Sequence, residues 1–183
     1  MNTPYHEARL KSRSIRQEIP FRYVFVLTNM CNLKCSFCFQ EKAYKSGSMD
    51  KDDWIKLLKS LPPNSHITLT GGEPLILKGF TEVVDNIRDD MTFNVITNGL
   101  LINESILTHL LSHNSFRVLS ISIDGYRNIC RDFSDKQWTD LVDNINLYNS
   151  LKSHFNKTRP ENAILDIKSV VLSTNSKDIC KMA

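Results

Sequence analysis

Three cysteines, Cys31, Cys35 and Cys38, lie close together near the start of the chain with a C-x3-C-x2-C spacing. They follow an apolar run, residues 23–27, that predicts a β-strand. Thiolates on one short loop can bind metal, and four protein ligands would fill a structural zinc or cubane iron–sulfur site. Three ligands leave one coordination position open, which is typical of a catalytic centre. The spacing therefore predicts a metal site whose last position is filled by another group.

The two remaining cysteines, Cys130 and Cys180, stand alone in the sequence, and we expect each to be a small buried apolar residue. An alternative interpretation of the triad is a zinc site completed by Cys130 or by a histidine. Where thiols stay reduced, clustered cysteines favour metal binding over a disulfide framework.

Composition argues against several functions. The chain has 183 residues, enough for one domain with a substantial core. Its formal net charge of +3 is too small to indicate a nucleic-acid partner. No apolar run reaches the roughly 18–20 residues of a membrane helix, and the N-terminus lacks the apolar segment of a signal peptide. We expect a cytoplasmic protein without a membrane partner, with a polar N-terminal arm at 1–20 and one core domain at 21–183.

The elements that must position the cysteines alternate between strand and helix patterns. Helices are predicted after Asp50 and Asn103, which are suited to N-capping, and a last helix begins after Asn175. Strict alternation of this kind predicts parallel strands with helices outside, in an open α/β sheet or a barrel. The five predicted strands are 23–28, 66–70, 92–97, 116–123 and 164–172.

Polar and glycine-rich motifs follow four of these strands at their carboxyl ends. In parallel βα architectures every strand delivers its following loop to the same edge, where active sites are built. Each motif alone would indicate only a turn, but four at one edge predict a functional site. They are the cysteine segment, Gly71-Gly72-Glu73-Pro74, Thr97-Asn98-Gly99 and Ser122-Ile123-Asp124-Gly125.

Together, in this order, the motifs resemble the radical S-adenosylmethionine (SAM) superfamily. Within it the chain is most similar to the branch that holds the GTP cyclase of molybdopterin synthesis, the anaerobic sulfatase-maturating enzymes and the peptide maturases. The resemblance covers nearly all of residues 21–180. It implies a partial (βα) barrel with six βα units, of which this sequence contains about five. We therefore expect a truncated core, with a naturally minimal enzyme and a partner that supplies the missing edge as alternatives.

The resemblance implies that Cys31, Cys35 and Cys38 hold a [4Fe-4S] cluster whose fourth iron chelates the amino and carboxylate groups of SAM. One electron from an external flavodoxin- or ferredoxin-like donor would then cleave SAM to methionine and a 5′-deoxyadenosyl radical. That radical abstracts hydrogen from a substrate. The organic chemistry belongs to the cofactor, and the protein binds and orients it.

Residues of the other motifs are implied to contact SAM. Phe37 would pack near the adenine, and Gly71 and Gly72 would let backbone approach the methionine end without a Cβ in the way. Glu73 would accept from the SAM ammonium or brace the turn, and Ser122 would bond the carboxylate or the ribose.

Arg131 lies near the position from which many relatives send an arginine to SAM, although the local spacing is compressed. Asp166-Ile167-Lys168 is similar to a motif of glycyl-radical activating enzymes, but we interpret it as ordinary strand alternation. The branch and the aromatic Phe39 beside the triad favour a peptide substrate, with a nucleotide-type small molecule as the alternative. A non-catalytic iron–sulfur or metal-binding fragment is the competing class.

Overall fold

The computed structural model describes residues 21–40, 49–155 and 163–179. The predicted N-terminal arm and Cys180 lie outside the described residues. All strand pairs are parallel, and the sheet order follows the chain, β1-β2-β3-β4-β5. Among the described residues, β5 pairs with β4 alone. The strands are β1 Arg22–Val26, β2 His66–Thr70, β3 Thr92–Thr97, β4 Phe116–Ser122 and β5 Ile164–Lys168.

Helices connect the strands, as the alternating pattern predicts. Asp50 caps the first of them by accepting from the Asp53 amide at 2.9 Å, and Asn103 caps the third by accepting from the Ile106 amide at 3.0 Å. Two 3-10 segments, Pro74–Ile76 and Tyr126–Arg131, lie in the loops after β2 and β4. The helices are α1 Lys51–Ser60, α2 Phe80–Asp85, α3 Glu104–Ser112, α4 Asp135–Phe155 and α5 Ser176–Ile179. None of them is long and apolar enough to cross a membrane.

The core lies between the helices and one face of the sheet. Phe25, Leu69, Val95 and Leu119 occupy one register row across the first four strands, and all are buried. Helix side chains pack against this row and its neighbours, among them Leu58, Val84, Leu107, Leu110 and Leu141. Burial of these apolar side chains is the main favourable contribution to folding.

The opposite face of the sheet is more polar and lines a cavity of about 350 Å³. Val24, Thr68, Asn94 and Val118 share a register row and contribute to this lining. Because side chains alternate along a strand, one face can pack against helices while the other lines the inside of a barrel. The predicted α/β class with a partial βα barrel agrees with this arrangement.

The fifth strand is shorter than the predicted range 164–172. After Lys168 the chain continues beside the end of β4, where the Ser169 hydroxyl donates to the Ile123 carbonyl. The Val170 amide donates to Asp124 Oδ1 at 2.6 Å. These side-chain contacts replace the ladder hydrogen bonds that would have continued the strand.

Candidate active site

The cysteine loop lies at the carboxyl edge of the sheet, beside the loop that follows β2. Sheet-like pairing continues past the strands, because the Gly72 amide donates to the Thr28 carbonyl at 2.7 Å and the Glu73 amide to the Met30 carbonyl at 2.8 Å. The edge predicted from the motifs is therefore where the first two loops meet.

The three thiols differ in exposure. Cys31 and Cys38 are exposed, whereas Cys35 is buried. The Cys38 amide donates to the Cys35 carbonyl at 3.2 Å, which closes a turn between these two residues. Phe37, inside that turn, is half-buried.

The glycine pair is required by the packing of the cysteine loop. A Cβ on Gly71 would lie 2.6 Å from the Thr28 carbonyl oxygen, and one on Gly72 would lie 2.2 Å from the Met30 carbonyl oxygen. Both distances are far inside van der Waals contact, so no larger residue fits without moving the loop. The close approach seen here is made by the chain's own backbone, and the predicted approach to SAM stays a prediction.

Glu73 has no exposed surface, and its carboxylate accepts three hydrogen bonds. Oε1 accepts from the Leu75 amide at 3.2 Å and from the Thr97 hydroxyl at 2.7 Å, while Oε2 accepts from the Asn98 amide at 2.8 Å. Burial raises the pKa of Glu73, and the three donors oppose that shift. Of the two predicted roles, these contacts describe the bracing of the turn.

Asn98 connects the loop after β3 to the cysteine loop. Its side-chain amide nitrogen donates to Asn32 Oδ1 at 2.7 Å and lies 4.0 Å from Cys31 Sγ. The Leu33 amide also donates to Cys31 Sγ, at 3.4 Å. The sequence predicts the motif that contains Asn98 from its position after a strand. The contact of Asn98 with the cysteine loop is not predicted, because nothing in the residue pattern indicates it.

Gly99 supports the structural interpretation of that motif. Its φ is +84°, and a Cβ would lie 2.4 Å from Leu141 Cδ1 on α4. The turn therefore needs glycine for its left-handed backbone as well as for space.

The end of β4 supplies a second fully buried carboxylate, Asp124. It forms an ion pair with Arg131, whose side chain is 15% exposed. The Asp124 backbone amide donates to Asn128 Oδ1 at 2.9 Å, and the Asn175 side-chain nitrogen Nδ2 donates to the Asp124 carbonyl at 3.0 Å. The sequence did not predict that a bracing group forms here from Asp124, Asn128 and Asn175.

Arg131 reaches from this group to the cysteine loop. Its Nη1 lies 3.7 Å from Cys35 Sγ, and its guanidinium carbon lies 5.4 Å from the centre of the Phe37 ring. A cation at this distance from an aromatic face is attracted by the ring electrons. Arg131 thus contacts both the buried cysteine and the aromatic residue of the loop.

Ser122 lies half-buried at the end of β4, in register with Lys168 on β5. Its carbonyl accepts from the Asn128 side chain at 3.3 Å. Its position at the carboxyl edge agrees with the sequence, and its predicted contact with SAM stays a prediction.

Electrostatics oppose ionisation of Cys31 and Cys35 unless positive charge is nearby. Desolvation raises the pKa of Cys31 and of Cys35. The charges of Glu73, Cys35 and Cys38 raise the pKa of Cys31 further, and that of Cys38 raises the pKa of Cys35 further. The Leu33 amide opposes the shift at Cys31, and the Arg131 cation opposes it at Cys35. A bound metal would supply the positive charge that three neighbouring thiolates need.

Among the described residues, no three His, Cys, Asp or Glu side chains are gathered closely enough to hold one metal ion. The zinc alternative, with Cys130 or a histidine as the fourth ligand, stays a prediction. In a cubane cluster each thiolate binds a different iron, so its ligands stand further apart than those of a single ion. A cubane cluster fits the chemistry of this loop, which carries three thiols, two of them with N–H groups nearby.

The sequence profile of the radical SAM superfamily matches residues 25–158, from the end of β1 through α4. The chain belongs to the radical SAM superfamily. The match includes the cysteine loop, both buried carboxylates and Arg131, so the resemblance found from the motifs is confirmed.

Curated relatives of this radical SAM protein include a maturation protein and a cyclase. Sporulation killing factor maturation protein SkfB of Bacillus subtilis is 38% identical over 122 residues, which are 64% of this chain and 29% of the relative. GTP 3′,8-cyclase of Clostridium perfringens is 29% identical over 107 residues, 54% of this chain and 32% of the relative. The chain therefore spans about a third of the length of these relatives.

Solved structures confirm the fold class. Streptococcus suis SuiB bound to S-adenosylmethionine superposes with a TM-score of 0.68 at 19% identity, over 97% of this chain and 40% of SuiB. SuiB bound to its precursor peptide SuiA gives a TM-score of 0.64 at 18% identity, over 97% of this chain and 39% of SuiB. At this identity the likeness concerns the fold alone.

Proposed function

We propose that this chain is the core of a radical SAM enzyme, with 1–20 as a polar arm and 21–183 as the core domain. The observation that carries the proposal is the meeting of three thiols, a close-packed Gly-Gly turn and two buried carboxylates at one sheet edge, in a member of this superfamily. The proposed ligands of a [4Fe-4S] cluster are Cys31, Cys35 and Cys38. The proposed SAM contacts are Phe37, Gly71, Gly72 and Ser122, and Glu73 keeps its two predicted roles, a contact with the SAM ammonium or the bracing of the turn.

A [4Fe-4S] cluster held by Cys31, Cys35 and Cys38 would supply the electron for reductive cleavage of SAM to methionine and a 5′-deoxyadenosyl radical able to abstract hydrogen from the substrate. The chain's own residues hold the ligand loop in place. Asn98 and the Leu33 amide direct N–H groups toward Cys31, and Arg131 does so toward Cys35. Such donors stabilise thiolates. The aromatic face of Phe37 offers a surface for a planar base.

The proposed substrate is a peptide. SkfB, 38% identical to this chain, is named as a maturation protein, and the fold is shared with SuiB bound to a precursor peptide. A nucleotide-type small molecule is the alternative, because GTP 3′,8-cyclase is also a relative. We propose a cytoplasmic location, where thiols stay reduced, and a flavodoxin- or ferredoxin-like electron donor.

Anaerobic reconstitution tests the cluster assignment. The chain is incubated with ferrous iron and sulfide, and iron content, visible absorbance and 5′-deoxyadenosine formed from SAM under a strong reductant are measured. We expect about four iron atoms per chain and SAM cleavage. Cys35→Ala should abolish both, whereas Cys130→Ala serves as the matched control and should retain both. SAM cleavage by Cys35→Ala at the wild-type level would contradict the assignment of Cys35 as a cluster ligand.

Two extracts of the source cell separate the substrate classes. One contains peptides freed of nucleotides, and the other contains nucleotides freed of peptides. The peptide extract should raise 5′-deoxyadenosine above the level formed without substrate, because hydrogen abstraction draws the reaction forward. Stimulation by the nucleotide extract alone would favour the cyclase-like alternative.

A further inference from the structure

Asp124 and Arg131 form a buried contact chain that ends on the cysteine loop. Asp124 has no exposed surface and Arg131 is 15% exposed, so water screens their interaction weakly. From this pair, Arg131 Nη1 reaches to 3.7 Å from Cys35 Sγ. The guanidinium also lies over Phe37, at 5.4 Å from the ring centre.

Asp124 fixes the direction in which Arg131 points. The carboxylate is itself held, since Oδ1 accepts from the Val170 amide at 2.6 Å. Its other oxygen accepts from Arg131 Nε, which leaves Nη1 free to face Cys35. Because a guanidinium is planar with its N–H groups in a rigid fork, fixing one edge determines where the other edge points. The negative charge of Asp124 lies on the Nε edge, while the Nη1 edge meets the sulfur.

We propose that Arg131, held by Asp124, is a positioning residue for Cys35 that raises the reduction potential of the cluster at this loop. The inference rests on the proposed function. Reduction makes a cluster more negative, so a nearby cation and an N–H group directed at a ligand sulfur favour the reduced form. This contact differs from the one predicted from the sequence, in which Arg131 is directed to SAM. Neither Arg131 nor Asp124 needs to touch SAM for the effect.

The test is an anaerobic reduction titration of the reconstituted chain, monitored by electron paramagnetic resonance and carried out without SAM. Arg131→Met should lower the midpoint potential by about 59 mV or more, a tenfold change in the ratio of reduced to oxidised cluster at fixed potential. Arg131→Lys keeps the charge but lacks the fork, so its potential should lie between those of wild type and Arg131→Met.

Arg127→Met is the matched control. Arg127 belongs to the same 3-10 segment and pairs with Asp135, but this pair is exposed, with 43% and 86% of the two side chains accessible. The variant removes the same charge from a solvated position, so its potential should equal that of wild type.

The outcomes separate the proposed function from the role of Arg131. If wild type assembles no cluster, the proposed function fails. If wild type and Arg131→Met both load iron and share one potential, only the role of Arg131 fails. If Arg131→Met does not load, Arg131→Lys decides, and an unchanged potential there overturns the proposal. Loss of cluster assembly in both variants would make Arg131 a structural residue and would overturn it as well.

Discussion

The acidic residues at the strand ends act as anchors in this structure. Glu73 and Asp124 are both fully buried, and each accepts from donors on more than one segment. A buried carboxylate with several donors keeps its charge at a tolerable cost, whereas an unpaired one would be strongly destabilising. Their geometry therefore explains how separate loops are held in register at the edge of the sheet.

Glu73→Gln tests this anchoring. The carboxylate accepts from three donors and donates to none, so an amide must place one of its own N–H groups against the Asn98 amide or the Leu75 amide. We expect the free energy of unfolding to fall by about 1–3 kcal/mol, the cost of a buried hydrogen bond lost to a donor–donor contact. Urea unfolding monitored by circular dichroism measures it.

Glu82→Gln is the control for that experiment. Glu82 lies on the surface of α2, and its carboxylate accepts from the Thr81 hydroxyl at 3.3 Å in an exposed pair. Its unfolding free energy should change by no more than about 0.5 kcal/mol. Equal effects of the two substitutions would show that Glu73 does not brace the site.

Residue patterns cannot predict a contact such as that between Arg131 and Cys35. The two residues are 96 positions apart, and their meeting depends on the Tyr126–Arg131 segment, where Arg127 and Asn128 have positive φ values. Asparagine adopts positive φ more readily than most residues, but an arginine there is uncommon, so the residue types do not predict this backbone. The cysteine spacing, by contrast, is local, and its placement after β1 follows from the neighbouring apolar run.

At the scale of elements, the Gly-Gly turn extends the pairing of β2 with β1 into the cysteine loop, through the bonds from the Gly72 amide to Thr28 and from the Glu73 amide to Met30. Gly72→Ala is expected to lower the unfolding free energy by about 1–3 kcal/mol, since its Cβ would lie 2.2 Å from the Met30 carbonyl oxygen and must push the loop away. Urea unfolding of the chain without iron isolates this steric effect from any loss of metal. A stability equal to that of wild type would mean that the loop relaxes without cost.

Strand positions followed from the sequence because the five strands are short β-rich runs bounded by turn residues. The predicted ranges of β2 and β3 agree with the structure at both ends. The end of β5 did not follow, because Ser169 and Val170 bond to the end of β4 through contacts between distant segments. Asn175 likewise precedes α5, but its side-chain oxygen accepts from the Leu172 amide at 2.7 Å.

Helix α4 carries a buried tyrosine whose hydroxyl group does not stabilise the fold. Tyr148 is fully buried, and among the described residues its hydroxyl has no hydrogen-bond partner. Burial raises the pKa of Tyr148. Tyr148→Phe should raise the unfolding free energy by about 1 kcal/mol, because it removes an unsatisfied polar group and keeps the ring. Destabilisation on urea unfolding would indicate a partner for the hydroxyl.

At the scale of the whole molecule, the sheet has one apolar face covered by helices and one face with polar groups. His66 links β2 and β3 near the amino end of the sheet. Its Nδ1 lies 2.8 Å from the Thr92 hydroxyl, and its Nε2 lies 3.0 Å from the Asn94 side-chain nitrogen. His66 is only 5% exposed. This group lies far along the strands from the cysteine edge, so it concerns stability rather than the site.

Burial, together with the neighbouring cations of Arg22 and Arg117, lowers the pKa of His66 from 6.5 to about 4. Above about pH 6.5 the histidine is neutral in both folded and unfolded chains and contributes no pH dependence. Between about pH 6.5 and 4 the unfolded chain takes up a proton that the folded chain does not, so stability falls as pH falls. From about pH 7.5 to about pH 5 the loss should be about 2 kcal/mol.

His66→Gln separates this contribution from the other titrating groups, which both proteins share. Wild type should lose about 2 kcal/mol more than His66→Gln when urea unfolding at about pH 5 is compared with about pH 7.5. The variant's own stability at the higher pH does not matter, because only the difference between the two pH slopes is used. Parallel slopes would mean that the folded chain protonates His66 as readily as the unfolded chain does, and that this face of the sheet admits enough water to solvate the imidazolium.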